Sequence, residues 1–150
     1  MHYKIIIYIS IIFFLIYRIS LGNDYVSIKE VTNKANLRVG PGSWYPIKWI
    51  IETPSLPLKL IEENEAYSKV QLHDKTEGWI SKSLISKKKN LIVINDAVLS
   101  DRKGKLKAKI LKDFIIKDYN CVDKKLTKHC LVKIDNVKGF INKSNLWGHN

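Results

Sequence analysis

The stretch NLRVGPGSWYPIKWII, residues 36–51, decides the fold of this chain. Its first residues, around Leu37–Val39, have strand character, and Ile47–Ile51 forms a second apolar, β-branched run. A Gly-Pro-Gly segment at residues 40–42 lies between the two runs. Proline fixes φ and glycine tolerates positive φ, so this segment suits a chain reversal. The stretch therefore predicts two strands joined by a tight turn.

The chain beyond residue 22 continues in the same way. Short β-branched and aromatic runs are separated by Gly, Pro, Asn and Asp, and no long helical period is present. The turn between the last two runs of the first half is predicted at His73–Gly78. The pattern predicts an all-β fold. Its strands in the first half are predicted at Val26–Ile28, Leu37–Val39, Ile47–Ile51, Leu58–Ile61, Tyr67–Leu72 and Trp79–Ile80.

The second half of the chain repeats the first. Ala35–Leu37 aligns with Ala97–Leu99 at an offset of 62 residues, and Glu77–Ser83 aligns with Lys138–Ser144 at an offset of 61. A tandem duplication is the simplest account of this similarity. Two copies are too few for a solenoid, which normally needs three or more repeats.

The N-terminal segment predicts a secretory signal peptide at residues 1–22. A short basic start precedes the apolar run from Ile5 to Tyr17, and Ser20 and Gly22 place small residues at the positions that signal peptidases require. An uncleaved membrane anchor is the alternative, although Arg18 interrupts the apolar run early. We therefore expect an exported protein, located in the periplasm or cell envelope or secreted.

These features divide the chain into four segments. The signal peptide at residues 1–22 is followed by a first domain at residues 23–86, a basic linker at 87–90 and a second domain at 91–150. The linker is interpreted as a solvated connector rather than a nucleic-acid contact, because it contains only three lysines.

Length and charge exclude several classes of protein. A chain of 150 residues is too short for a large multidomain enzyme. Lys and Arg number 26 against 14 Asp and Glu, a net charge of +12. Arg18, Arg38 and Arg102 are the only arginines, whereas proteins that read nucleic acids favour the guanidinium group. We therefore expect an anionic surface or polymer as the partner, and no nucleic acid.

The two cysteines predict a disulfide. Outside the cytoplasm disulfides persist, so Cys121 and Cys130 are predicted to pair. Both lie beside runs with strand character, and a bridge across a long hairpin is geometrically reasonable.

Several groups of residues resemble the bacterial SH3 domain. In order, they are Asn36–Gly42, Tyr45–Ile47, Trp49–Ile50, Pro57–Leu60, Tyr67–Val70 and Gly78–Ile85. The resemblance covers residues 24–86 well and residues 91–148 weakly, since Ser100 replaces Arg38 in the second copy. It implies two small five-stranded barrels in tandem, of a kind that is usually exported and often binds peptidoglycan or its peptides.

Aromatic residues and one arginine are the candidate ligand contacts of the first copy. Arg38 and Trp79 belong to the matched motifs, although core packing is the favoured interpretation for Trp79 and is also expected for Trp49. Trp44 and Tyr45 are adjacent, so they cannot both point inward from a strand. An exposed aromatic surface and core packing remain open for this pair.

A run of alternating lysines characterises the second copy. Lys103, Lys105, Lys107 and Lys109 would place four ammonium groups on one face if the whole run were extended. One interpretation is an edge strand that lysines protect from aggregation. The other assigns Lys105, Lys107 and Lys109 to contact with an anionic wall polymer, lipid head groups or carboxylate-bearing peptides.

Catalysis is not expected from the side chains present. Paired cysteines cannot act as nucleophiles, and Cys121, His129 and Cys130 lack the spacing of structural zinc sites. No metalloprotease, nucleotide-binding or nucleophile-elbow motif is present. The acidic cluster at residues 62–65 is interpreted as a solvated turn rather than a glycosidase pair. The sequence therefore predicts no catalytic residue, no metal and no cofactor.

The function predicted from these observations is a noncatalytic, exported binding module of the cell envelope. Its partner would be a cell-wall glycan, a stem peptide or an extended segment of an envelope protein, with contact to an anionic membrane surface as a further option. A structural or assembly role without a small ligand, or a secreted effector, is the alternative. The oligomeric state is left open.

Overall fold

The structure is a computed structural model that describes residues 24–121 and 128–149. In these residues the regular elements are β-strands and two short 3₁₀ turns, which confirms the all-β prediction. No helix in this part of the chain is long and apolar enough to cross a membrane. The predicted signal peptide at residues 1–22 lies outside the described residues.

The first half forms one antiparallel sheet. Its strand order is β3-β2-β6-β5-β4-β1-β7, and a 3₁₀ turn at Lys82–Leu84 connects β6 to β7. All six strands predicted for this half are confirmed. Their apolar runs and the turn residues between the runs are local signals of strands. The strands are β1 (Tyr25–Ile28), β2 (Ala35–Arg38), β3 (Ile47–Ile51), β4 (Pro57–Glu63), β5 (Tyr67–Gln71), β6 (Glu77–Ser81) and β7 (Ile85–Ser86).

The second half forms two sheets, with strand orders β10-β9-β14-β13-β12 and β11-β8-β15. All three sheets of the described residues are open, so hydrogen bonding does not close either half into the barrel that the resemblance implies. A 3₁₀ turn at Lys143–Asn145 precedes the last strand. The strands are β8 (Leu91–Val93), β9 (Ala97–Ser100), β10 (Leu106–Ile110), β11 (Ile115–Ile116), β12 (Asp118–Asn120), β13 (His129–Ile134), β14 (Val137–Asn142) and β15 (Leu146–Trp147).

The two halves share one local irregularity. A bulge in the β2–β3 pair leaves Lys48 without a cross-strand partner, and a bulge in the β9–β10 pair leaves Lys107 in the same situation. The Lys48 Nζ atom donates to the backbone carbonyl of Glu77 at 3.2 Å, and the Lys107 Nζ atom donates to that of Lys138 at 2.7 Å. Each ammonium group thus links the bulged strand to the next strand but one in the sheet, β3 to β6 in the first half and β10 to β14 in the second.

The short sheet β11-β8-β15 lies between two hydrophobic cores. In β8, Leu91 and Val93 point into the core of the second half, whereas Ile92, 2% exposed, belongs to the core of the first. Ile115 and Trp147 pair with Ile92 from the two neighbouring strands and pack against the same first core. Because successive side chains of a strand face opposite sides, these three strands serve both cores at once.

Polar and aromatic contacts also join the two halves. The Trp147 ring lies 5.1 Å from the Tyr25 ring, edge to face at 86°. The Asn90 Nδ2 atom donates to the backbone carbonyl of Ser55 at 2.8 Å, so the end of the predicted linker is buried while its three lysines are exposed. Lys117 forms an ion pair with Glu30, and its hydrogen bond lowers the pKa of the Glu30 carboxyl group. The halves are therefore packed against each other.

The predicted disulfide between Cys121 and Cys130 is confirmed. Asn120 pairs with Leu131 in the β12–β13 hairpin, so the next position on each strand faces the other and the two Cα atoms lie 4.3 Å apart. Cys130 is fully buried in the core of the second half. The bond therefore fixes the loop end of this hairpin to the core.

Candidate functional site

The hairpin formed by β2 and β3 exposes an unusual number of apolar side chains, and we call residues 39–50 the aromatic hairpin. Single exposed apolar residues are ordinary, but here six large ones fall within twelve residues, which makes this segment a candidate surface for a ligand or a partner. The exposed fractions of its large apolar side chains are between 36% and 78%. These residues are Val39, Trp44, Tyr45, Ile47, Trp49 and Ile50.

The turn of the aromatic hairpin depends on two glycines. The reversal is confirmed, with the amide of Tyr45 donating to the carbonyl of Gly42 at 3.2 Å. Positive φ is not the reason, because in the described residues the glycines with positive φ are Gly104 and Gly148. A Cβ atom at Gly40 would lie 2.5 Å from the Tyr45 ring, and one at Gly42 would lie 2.6 Å from the Trp44 ring. The glycines are needed because both rings fold back over the turn.

Trp44 and Tyr45 form an exposed pair of rings, which we call the aromatic shelf. Their centroids lie 5.7 Å apart with the planes tilted by 34°. Trp44 is 78% exposed and Tyr45 is 36% exposed, so of the two interpretations left open by the sequence, core packing is wrong. The rings fold over the turn without being buried in the core, which leaves part of each ring exposed to solvent.

Arg38 connects the aromatic shelf to the sheet. Its Nη1 atom donates to the backbone carbonyl of Tyr45 at 2.6 Å. A guanidinium group has five N–H donors, so four donors remain after this bond for other acceptors. Arg38 also pairs with Trp79 across β2 and β6, which places both side chains on the outer face of the sheet.

Trp79 lies half-buried on that outer face and is not a member of the buried core. Its neighbours on β6, Gly78 and Ile80, face inward and are buried. Across the sheet Trp79 pairs with Lys69, whose Nζ atom lies 3.5 Å from Glu77 Oε2. The core-packing interpretation for Trp79 is therefore wrong. On the neighbouring strands Trp79 pairs with Arg38, which forms no ion pair in the described residues, and with Lys69, which pairs with Glu77.

Trp49 also departs from the core role expected for it. It pairs with Leu37 and so shares the inner face, but it is 57% exposed. β3 is an edge strand of its sheet, and the core does not extend to this position. Trp49 therefore contributes to the exposed surface of the aromatic hairpin.

The alternating lysines of the second half do not form the predicted four-member row. Lys103 lies in a turn and Lys105 precedes β10, because Asp101 Oδ1 accepts the backbone N–H groups of both residues at 2.8 and 2.9 Å. Lys107 and Lys109 lie in β10, and the bulge at Lys107 breaks the alternation between them. The edge position of β10 is confirmed.

Titratable side chains offer little for catalysis or metal binding within residues 24–121 and 128–149. No three His, Cys, Asp or Glu side chains there are grouped so as to hold a metal ion. The His73 ring lies against Trp147 at 6.3 Å, and the Thr76 amide donates to Asp74 and lowers the pKa of its carboxyl group. The disulfide removes both thiols from nucleophilic chemistry. That the protein is not an enzyme stays a prediction.

Sequence reasoning missed part of this surface. Ile47 and Ile50 are exposed, although isoleucine side chains in a strand are usually buried in a core. No local signal marks β3 as an edge strand. By contrast, the alignment of Glu77–Ser83 with Lys138–Ser144 makes Phe140 the counterpart of Trp79. This alignment could have identified Phe140 as a second aromatic ring on the outer face of a sheet.

Two solved structures show distant similarity to this chain. NlpC2 from Trichomonas vaginalis is 12% identical, with 84% of this chain and 48% of that chain covered and a TM-score of 0.40. NlpC1 from Trichomonas vaginalis is 13% identical, with coverages of 83% and 45% and a TM-score of 0.40. The chain spans about half the length of these structures. No curated protein sequence matches it.

A family model matches the part of the chain that carries Arg38, the aromatic shelf and Trp79. The match covers residues 31–87 and the family is described as the bacterial SH3 domain. The first half of this all-β chain is thus similar to the bacterial SH3 domain, as the motifs of residues 36–85 predict.

Proposed function

We propose that this protein is a noncatalytic, exported binding module of the cell envelope that holds a cell-wall glycan or peptide on its aromatic shelf. The observation that carries the proposal is the exposure of Trp44 and Tyr45 beside the guanidinium of Arg38. Ring faces attract the C–H groups of sugars and the cations of peptides, and a guanidinium binds carboxylates in a bidentate manner. Peptidoglycan stem peptides and their sugars offer all of these groups.

The architecture supports a pair of SH3-like modules in tandem. Both halves follow the same order of strands when β11 and β12 together are taken as the counterpart of β4. They also share the bulge and the 3₁₀ turn, which is capped by Ser81 in one half and Asn142 in the other. The similarity of residues 31–87 to the bacterial SH3 domain supports a role in the cell wall. The disulfide is compatible with an oxidising compartment outside the cytoplasm.

Replacing Trp44 with alanine is expected to weaken binding to purified peptidoglycan sacculi at least about tenfold, since exposed tryptophans that anchor a ligand commonly contribute about 2 kcal/mol or more. The measurement is the fraction of protein that sediments with sacculi over a range of sacculus concentrations. Phe114→Ala is the matched control, because Phe114 is 42% exposed and lies outside the aromatic hairpin. Equal binding of the two variants would refute the proposal.

Replacing Arg38 with lysine is expected to lower the affinity for soluble stem peptides several-fold while net charge stays the same. A lysine offers a point charge and cannot hold the Tyr45 carbonyl and a ligand carboxylate together. Isothermal titration calorimetry with a muramyl tetrapeptide measures the change. Lys29→Arg, a charge-conserving exchange at an exposed position outside the aromatic hairpin, is the control, and an equal loss there would argue against a special role of Arg38.

An assembly role is the second candidate, and one observation favours it. Ile47, Trp49 and Ile50 add apolar surface to the aromatic hairpin beyond the shelf itself. A protein partner would cover this surface more completely than a sugar or a short peptide. Light scattering of the purified protein and its Trp49→Ser variant separates the two, because only the assembly role predicts a change of oligomeric state.

A further inference from the structure

The outer face of the second half contains a cleft beside Phe140. Two adjoining cavities of about 570 and 590 Å³ share Asp101, Arg102 and Phe140 in their walls. Phe140 is half-buried, pairs with Ser100 and Leu131 on the neighbouring strands, and lines both cavities. We call this feature the Phe140 cleft.

The Phe140 cleft is strongly cationic. Arg102, Lys103, Lys107 and Lys138 line it, and the ion pairs within residues 24–121 and 128–149 involve other lysines. Asp101 also lines the cleft and subtracts one charge, and its Oδ1 atom accepts the two backbone N–H groups that close the turn. Four cations and one carboxylate therefore line the cleft, and none of the four cations forms an ion pair within the described residues.

This charge is specific to the second half. Residues 91–150 contain 13 Lys and Arg against 6 Asp and no Glu, whereas residues 23–90 contain 11 Lys and Arg against 8 Asp and Glu. Lys138 aligns with Glu77, which binds Lys69 and also accepts a hydrogen bond from Gln71 at 2.8 Å. The corresponding faces thus share a central ring, but the second half has exchanged a neutralised carboxylate for a free cation.

From this arrangement we infer that the Phe140 cleft binds an anionic glycan, with phosphate or carboxylate groups on the cations and a sugar ring against Phe140. Charge-assisted hydrogen bonds from guanidinium and ammonium groups suit both kinds of anion. The Lys107 ammonium uses one donor on the Lys138 carbonyl and retains two for a ligand. The inference goes beyond the proposed function, because it gives the second half a ligand class of its own.

Shape and composition favour a glycan over other polyanions. Single-stranded nucleic acids stack successive bases on several aromatic rings, whereas Phe140 is the one Phe, Tyr or Trp side chain lining the two described cavities. A membrane surface is met by apolar side chains that project into it, whereas the Phe140 ring is half-buried and lines both cavities. Two adjoining cavities leave room for neighbouring sugars of a chain.

The test is binding of two anionic glycans, decagalacturonate for the carboxylate and a phosphomannan for the phosphate, with dextran as the neutral reference. We expect the protein to bind the anionic glycans and not dextran, more weakly as salt rises. The double variant Arg102→Gln, Lys138→Gln is expected to lose at least about tenfold in affinity, since it removes two charge-assisted contacts. The tighter of the two glycans identifies the anion.

A matched control removes the same charge elsewhere. Lys29→Gln, Lys112→Gln lowers net charge equally at exposed positions outside the cleft and is expected to keep its affinity within about twofold. Phe140→Leu retains apolar volume and charge but loses the ring, and is expected to weaken glycan binding with the fold intact by circular dichroism.

Three results would overturn the inference: no binding of either anionic glycan, equal losses in the two double variants, or tighter binding of single-stranded DNA or phosphatidylglycerol vesicles. The Trp44→Ala variant is expected to bind decagalacturonate as tightly as the unchanged protein, and the Arg102→Gln, Lys138→Gln variant is expected to keep its affinity for the muramyl tetrapeptide. Failure of this inference is therefore distinguishable from failure of the proposed function.

Discussion

Replacing Ile92 with alanine is expected to destabilise the first half of the protein, although Ile92 belongs to the second half by sequence. The side chain is 2% exposed and lies in the first core. Removing the buried methyl and methylene groups leaves a cavity beneath Ile115 and Trp147, and such truncations commonly cost about 2–5 kcal/mol. Since natural domains are stable by about 5–15 kcal/mol, the variant would lose a large part of its margin.

Hydrogen exchange locates this effect. The amides of Leu37, Val70 and Ile80 in the first half are expected to exchange faster in the Ile92→Ala variant, together with those of β8. Ile50→Ala is the matched control, because the same atoms are removed from a side chain that is 54% exposed, and its effect should stay within about 0.5 kcal/mol. Faster exchange confined to the second half would show that the cores are independent.

Removing the disulfide by Cys121→Ala and Cys130→Ala together is expected to cost about 3 kcal/mol. The bond joins residues separated by nine positions, and loop-closure entropy for a loop of this size gives that magnitude. Cys130 is fully buried, so the lost sulfur adds a packing cost to the entropic one. Urea unfolding of the double variant against the unreduced protein measures the difference.

Two further measurements test the role of the disulfide. The denatured, unreduced protein should contain no thiol that reacts with a labelling reagent, because both cysteines are bridged. Cys121→Ala alone leaves a buried thiol at Cys130 and should lose the entropic part while keeping the core sulfur. A reactive thiol pair in the unreduced protein, or unfolding midpoints that do not differ, would contradict the role assigned to the bond.

The strands could be predicted from the sequence because their signals are local. Runs such as Tyr67–Gln71 alternate apolar and polar residues, and the turn at residues 73–78 contains the residues that turns prefer. The packing of the two halves depends on residues that are distant in sequence, but one local sequence feature indicates it. The run Leu91–Ile94 is apolar at every position, which is typical of a strand buried on both faces.

The candidate site was predicted less well than the fold. Because Trp44 and Tyr45 are adjacent, the sequence predicts that at least one of the two rings is exposed. In the structure both are exposed, because both rings fold over Gly40 and Gly42. Trp49 has the composition of a core residue, and only its place at the sheet edge exposes it. Burial is decided by neighbours distant in sequence, which a pattern of residue types does not contain.

The sheet shared by the two cores has a consequence for the order of folding. A polypeptide is made from its N-terminus, and domains with separate cores fold one after another as they emerge. Here the first core lacks Ile92 until the second half has begun, and Tyr25 lacks its aromatic partner until Trp147 has been added. The first half therefore reaches its final stability only when nearly the whole described chain exists, and the newly made chain stays open longer than its two-part organisation suggests.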